Sequence, residues 1–439
     1  MHSAVDVRKE RVSPNSERRR GRMQIQTILN RIQKHKGFVY GCARFGPSDM
    51  PLSLEVQLRA CKNSRACCSG CGQLRPGYDH LPERRFEFIP LWGILIFFLY
   101  ALRRVDCPAC GVVVEKVPWA QGKETLCLSY QWFLAGWAKR LSWKETAEVF
   151  RASWGKVFRS VEMAVRWGRA HVDLSGVLSI GVDEIQYQLG HKYLTLVYQI
   201  DGHCKRLLWI GKERTEATID GFFDWFGQTR SEALKHICSD MWKNYLTVIA
   251  KRAAQALHIL DRFHIMSHMS KAIDEVRAQE AKELVSKGYE PVLKKSRWLL
   301  LKRPENLTEK QEVRLADLVR YNLRSVRSYL LKEDFQSFWE YTSPGWALRF
   351  LDQWCTRALR SRIEPMKRVA KMLRNHRALL SNWFKAKGAL SSGAVEGFNN
   401  KAKLTIRKAY GFRTYNAAEI ALYHTLGRLP EPDFTHKFC

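Results

Sequence analysis

Acidic residues are scarce in this chain. Across 439 residues, 43 Asp and Glu face 73 Lys and Arg, a net charge of +30. Such an imbalance disfavours a small neutral substrate and favours a polyanionic partner, either nucleic acid or an anionic membrane. Long apolar runs are lacking too. The most apolar stretch, Leu91 to Leu102, is little more than half of the about 20 residues that a membrane-spanning helix needs. It lies between Pro90 and Arg103-Arg104 and is expected as a buried strand. No secretory signal stands out, because the Arg and Lys near the N-terminus surround no apolar core. No membrane partner is therefore expected. The 12 Cys are expected as thiols or metal ligands in a reducing compartment rather than as a disulfide framework. Residues 1–28 read as a disordered basic extension, and the rest is long enough for two or three domains with real cores.

Four of the cysteines have ligand spacing. Cys68-x-x-Cys71 is followed by Cys107-Pro-Ala-Cys110, and Gly72 and Gly111 follow each pair as tight knuckle turns require. Two such pairs can place four thiolates around one tetrahedral structural Zn²⁺. Cys67 is an alternative to Cys68. The Arg84 to Arg104 segment between the pairs reads as strands.

A helical region follows. Leu126 to Arg140 carries apolar residues at helical spacing, and Ser142-Trp-Lys-Glu145 matches a capping box that opens a second helix to about Phe150. Ser153 then caps a third, with Val157, Val161 and Val165 on one side. Helix, short turn and helix on a basic chain suggest a DNA-binding helix-turn-helix in which Lys156, Arg159 and Arg166 face the DNA. An ordinary helical hairpin is the plainer alternative.

The stretch from Leu178 to Asp201 reads as the start of a three-stranded meander. Leu178, Ile180 and Val182 alternate along one face, and Gly190-His191 and Asp201-Gly202 mark the turns. Asp183 falls on the opposite face, where an acid is costly unless paired or bound to a cation. Glu184 points the other way. Lys205 to Ile210 continues as the third strand, and Ile219, Phe222, Phe223 and Phe226 follow as one face of a helix. A short strand ends at Asp240, a helix follows to Arg252, and another short strand ends at Asp261, close to His264. The β-β-β-α-β-α-β order is that of a ribonuclease-H-like core, which gathers its site at strand ends. Residues 265–390 then read as almost wholly helical. Last comes a helix that Ser391 and Ser392 can cap, with Glu396, Asn399, Asn400 and Lys403 on one face at i, i+3, i+4 and i+7. Such a stripe suits a metal ligand beside amides and a base on phosphates, although a solvated polar face would look the same.

Several segments together resemble the transposases of the ISL-three insertion-sequence family. They are the paired C-x-x-C, Gly181-Val-Asp-Glu184, Gly190-His-Lys-Tyr193, Cys238-Ser-Asp-Met-Trp242, Leu260-Asp-Arg-Phe-His264, Val395-Glu-Gly-Phe-Asn-Asn-Lys401 and Arg407-Lys-Ala-Tyr-Gly411. The likeness is collinear from about Leu29 to the C-terminus. It implies an α/β fold with helical parts: a ribonuclease-H-like catalytic core interrupted by an α-helical insertion and preceded by a zinc-binding module and a helix-turn-helix. The implied segments are 29–122 for zinc, 123–172 for the helix-turn-helix, 173–264 and 391–439 for the core, and 265–390 for the insertion. Asp183, Asp240 and Glu396 fall on the catalytic DDE positions. They would hold two Mg²⁺ (or Mn²⁺) ions, a fit for oxygen ligands. Cys68, Cys71, Cys107 and Cys110 would hold Zn²⁺, and Asn399, Asn400 and Lys403 would join Lys156, Arg159 and Arg166 on DNA. The implied activity is cleavage and strand transfer at terminal inverted repeats. The partners would be double-stranded repeat and target DNA and a second copy of the chain or more, and the place a bacterial cytoplasm at the nucleoid. The competing reading is a zinc and helix-turn-helix regulator with a non-catalytic nuclease-like core.

Overall fold

The computed structural model describes residues 24–47, 52–188, 190–386 and 393–433. The chain divides into two compact units, one formed by Met1–Trp167 with Glu431–Cys439 and the other by Gly168–Pro430.

The first unit is a sheet with helices packed on it. After α1 (Ile25–Ile32) come β1 (Phe38–Phe45), β2 (Ser53–Ala60), the two-residue pair β3 (Ala66–Cys67) and β4 (Leu74–Arg75), then β5 (Gly77–Leu91), β6 (Ile94–Cys107) and β7 (Gly111–Val114). The main sheet runs β1-β2-β6-β5, with β7 paired to β6. The apolar run expected as one strand is instead the turn and second arm of a hairpin: β5 and β6 pair antiparallel with Leu91 opposite Ile94. Trp92 and Gly93 supply the turn at positive φ, 50° and 79°. Three helices follow, α2 (Leu128–Ala138), α3 (Trp143–Val149) and α4 (Trp154–His171). The expected capping box is present. Glu145 N donates to Ser142 Oγ, and Ser142 N donates back to Glu145 Oε2 at 2.7 Å. Tyr130 and Leu134 of α2 share one core with Phe86, Phe98 and Trp119, so the cysteine-bearing sheet and the first helix bury their apolar faces together.

The second unit holds a five-stranded sheet built from β8 (Ser179–Gln188), β9 (Lys192–Ile200), β10 (Lys205–Lys212), β11 (His236–Ser239) and β12 (Leu257–Leu260), in the order β10-β9-β8-β11-β12. The meander is antiparallel, whereas β11 pairs parallel with both β8 and β12. Two crossovers make this possible, α5 (Glu216–Phe226) with α6 (Gln228–Glu232), and α7 (Lys243–Arg252). Ile219, Phe222, Phe223 and Phe226 of α5 are buried against Ile180, Val182 and Ile237. On α7, Tyr245, Val248 and Ile249 are buried. The long helix α8 (Arg262–Ser286) leaves the end of β12 and opens a helical body. It comprises α9 (Arg297–Leu301), α10 (Glu309–Val319), α11 (Arg324–Gln336), α12 (Pro344–Arg360), α13 (Glu364–Asn375) and α14 (Arg377–Lys385). These helices share their own core, centred on Ile273, Phe335, Phe338, Trp354 and Met366. The chain returns to the sheet with α15 (Gly393–Lys408) and α16 (Tyr415–Leu426). Ser391 and Ser392, expected as caps of α15, lie outside the described residues. Among the described residues, no helix is long and apolar enough to cross a membrane.

Candidate active site and cysteine cluster

Sheet register builds the candidate active site. Cys238 of β11 stands opposite Gly181 of β8, and Ser239 opposite Leu260 of β12. Continuing both ladders by one or two residues brings Asp240 level with Asp183 on one side and with Asp261 on the other. Three acids therefore stand side by side, Asp240 and Asp261 just past the ends of β11 and β12 and Asp183 at the middle of β8. Each is turned by a local backbone bond: Asp183 Oδ1 accepts from Glu184 N at 2.7 Å, Asp240 Oδ1 from Trp242 N at 2.9 Å, and Asp261 Oδ1 from Phe263 N at 2.8 Å. The last of these also caps α8.

The pleat separates the two neighbouring acids of β8 as expected. Asp183 is 7% exposed and faces His264 of α8, whose Nε2 lies 3.7 Å from Asp183 Oδ2 and 4.0 Å from Asp261 Oδ2. Glu184 turns to α7 and the β10–α5 loop, with Tyr245 Oη and Arg214 Nη1 each at 3.2 Å. Glu396 reaches the same region from α15, a helix packed on β8, and is itself exposed.

Burial and this concentration of negative charge shift several of the groups. Burial, with Asp183 and Glu396 adding to it, pushes Asp261 up to about 6 against the Phe263 N–H and His264. Burial raises Asp240 above the usual carboxylate range, and burial with the charges of Asp240 and Asp183 raises Glu184. His264 is held up to about 9, chiefly by Asp183, so it is an imidazolium at neutral pH. Two cations, His264 and Arg214, do not balance five carboxylates, and an all-oxygen donor set of this kind fits Mg²⁺ or Mn²⁺. Among the described residues, only the cysteine cluster brings three or more ligand atoms within 4.8 Å of one another. Asp183, Asp240 and Glu396 thus border one region of the sheet without closing on a single point.

Two further residues bear on this site. Asn399 was grouped with the DNA-facing stripe, but it is 5% exposed and both ends of its amide are occupied within the protein. Nδ2 donates to Asp183 Oδ2, and Oδ1 accepts from Tyr198 Oη at 2.8 Å. Asn400 and Lys403, by contrast, are exposed. The other is Gly181. A Cβ there would lie 2.4 Å from Val395 Cγ2 of α15. A glycine inside an apolar strand is itself a sign of close approach by another element.

The three bases expected to face DNA have unequal surroundings. Lys156 is paired with Glu87, a largely buried acid of β5, and Arg159 Nε lies 3.1 Å from Glu124. Arg166 is 79% exposed in its side chain, with only Glu162 at 3.6 Å on its own helix. Lys156 is therefore tied to the sheet through Glu87, whereas Arg159 is half exposed and paired with Glu124 of the β7–α2 loop.

In the first unit the four expected cysteines converge. The Sγ atoms of Cys68, Cys71, Cys107 and Cys110 all lie within 4.8 Å of one another, with Cys71 and Cys107 3.6 Å apart. Tetrahedral thiolates at about 2.3 Å from Zn²⁺ stand about 3.8 Å apart, so the cluster has the dimensions of a zinc site. Gly72 and Gly111 have φ of 75° and 71°, and a Cβ at Gly70 would strike Cys110 Sγ at 2.7 Å. Desolvation opposes the Cys107 thiolate, but the Ala109 and Cys110 N–H groups outweigh it and bring this thiol down to about 6. Cys67 is excluded as a ligand, because its Sγ lies 3.2 Å from Gly72 O while Cys68 is fully buried in the cluster.

A family model described as a transposase, of the ISL-three DDE class, matches residues 180–422. That span covers more than half of the chain and contains Asp183, Asp240 and Glu396. The transposase for insertion sequence element IS1557 of Mycobacterium tuberculosis is 29% identical over 374 residues, which cover 80% of this chain and 83% of that protein. The transposase for IS1001 of Bordetella parapertussis is 26% identical over 378 residues, covering 85% of this chain and 92% of that protein. This chain belongs to the ISL-three family of DDE insertion-sequence transposases.

Proposed function

We propose that the second unit is a ribonuclease-H-like nuclease core in which Asp183, Asp240 and Glu396 hold two Mg²⁺ or Mn²⁺ ions. On this reading the protein cuts its element at the terminal inverted repeats and joins the ends to target DNA. The observation that carries the reading is the register. It sets Asp240 beside Asp183 on neighbouring parallel strands, under the helix that bears Glu396. The strand order β10-β9-β8-β11-β12, with an antiparallel meander on one side and parallel strands on the other, supports the ribonuclease-H-like assignment. The bound ions would activate an attacking oxygen and neutralise charge on the leaving one. Asp183 and Asp240 are each fixed by a backbone N–H, which would present their carboxylates to the ions. His264 offsets part of the charge of Asp183 and Asp261. Water attacks first and leaves a 3′-OH at the element end, and that hydroxyl then attacks a target phosphodiester. No covalent enzyme intermediate is required.

The helices α2 to α4 are assigned as a helix-turn-helix that positions repeat DNA, with Arg166 as its phosphate contact. The cysteine quartet is assigned as structural zinc. A dimer or larger assembly follows from the need to bring two ends together. The test uses purified protein, a labelled inverted-repeat end and Mg²⁺. Asp183→Asn, Asp240→Asn and Glu396→Gln should each abolish cleavage and joining while retaining DNA binding. Full joining by Asp183→Asn would refute the site.

A further inference from the structure

We infer that Tyr198 and Asn399 form a positioning relay that aims the Asp183 carboxylate and ties it to the helix carrying Glu396. The inference rests on the reading of Asp183 as a metal-holding residue. Its basis is a chain of two buried hydrogen bonds, Tyr198 Oη to Asn399 Oδ1 at 2.8 Å and Asn399 Nδ2 to Asp183 Oδ2. The direction of this chain follows from chemistry. A carboxylate only accepts, so the amide nitrogen must face Asp183 and the amide oxygen must face the phenol. Tyr198 must then donate. Burial, with the Asp183 charge adding to it, keeps the phenol well above its usual range, so the proton it donates is retained.

The relay has a purpose that neither bond has alone. A buried amide with a free oxygen could turn over and present that oxygen to Asp183, repelling it. Donation by Tyr198 prevents the flip. Asn399 lies one helical turn from Glu396, so the same bond sets how far along β8 that turn of α15 comes to rest. The ring of Phe398 stacks on Tyr198 at 4.9 Å and 19°, which holds the phenol in place from the same helix. Asn399 and Tyr198 thus stand one bond behind a proposed metal ligand, where partners fix the orientation of the ligating group.

The experiment measures Mn²⁺ binding to the full-length protein by electron paramagnetic resonance without DNA, beside the Mg²⁺ concentration for half-maximal cleavage. Asn399→Leu should weaken Mn²⁺ binding about 10-fold, and Tyr198→Phe should weaken it several-fold in the same direction. Both should raise the Mg²⁺ requirement of cleavage, with DNA affinity retained in Tyr198→Phe and its thermal midpoint lowered only by the loss of one buried hydrogen bond. A purely structural pair would shift the midpoint and not the metal affinity. If Asn399→Leu fails to fold, Tyr198→Phe decides alone, because it deletes one oxygen and keeps the ring on Phe398. Wild-type Mn²⁺ affinity in Tyr198→Phe, with binding lost in Asp183→Asn, overturns the relay and leaves the site standing. Wild-type Mn²⁺ binding and cleavage in Asp183→Asn overturn both.

Discussion

Gly181→Ala tests how the third carboxylate is delivered. The added Cβ would sit 2.4 Å from Val395 Cγ2, whereas carbon atoms rest at about 3.5–4.0 Å, so about 1 Å of separation must be created. Ile200 closes the other side, with Cγ2 at 3.5 Å and Cδ1 at 3.7 Å from the same point. Val395 has little rotamer freedom, because a β-branched side chain in a helix is held to one strongly preferred χ1. The strain is therefore relieved by lifting the first turn of α15 away from β8, and Glu396 is the next residue on that turn. Overpacking of this kind costs about 1–3 kcal/mol of stability. A displacement of about 1 Å in a reacting group lowers the rate on the order of 100-fold. The assay is single-turnover cleavage of a labelled repeat end, with DNA affinity and thermal midpoint measured beside it. The expected result is a loss of cleavage far larger than the loss of stability explains, with DNA binding intact. Val395→Ala removes the clashing methyl, so Gly181→Ala with Val395→Ala should recover most of the rate, a positive coupling within a double-mutant cycle. Wild-type cleavage by Gly181→Ala, or a double variant no better than Gly181→Ala alone, would refute the docking argument.

Other expectations follow from the same structure. Cys68→Ser should lose bound zinc and the fold of the knuckles, whereas Cys67→Ser should retain one zinc per chain, as metal analysis would show. Arg166→Ala should weaken DNA binding and reduce the slope of log K against log salt by about 1. Lys156→Met should leave that slope unchanged and lower the thermal midpoint instead, because it strands the largely buried Glu87 without its partner. Ser142→Ala should cost about 1 kcal/mol by removing the cap of α3, read from the denaturation midpoint.

Asp183 and Asp240 were legible in the sequence because alternation and short apolar runs report which residues leave a strand on its polar side or at its end. The same logic separated Glu184 from Asp183, since the pleat sends neighbours to opposite faces. The capping box at Ser142 and Glu145 and the cysteine pairs were legible because their geometry is local, closing within a few residues. Asn399 was misplaced for the opposite reason. Helical spacing puts it on a stripe with Glu396, Asn400 and Lys403, but does not say that the stripe's edge is pressed onto β8. Lys156 was read as free for DNA because its partner Glu87 lies in the other half of the unit's fold. Neither could be seen without knowing which surfaces meet.

The sequence by itself determined the element order of the second unit's sheet, the acids on and just past its strands, the cysteine ligand spacing and a family likeness that the comparisons establish. Each depends on short-range periodicity or on residue type at fixed offsets. Only the tertiary structure decided that Asp261 stands level with Asp240, that Cys68 rather than Cys67 enters the cluster, and that Asn399 faces Asp183. Those outcomes depend on strand register and helix docking between segments far apart in the chain, where burial against a specific partner overrides local pattern.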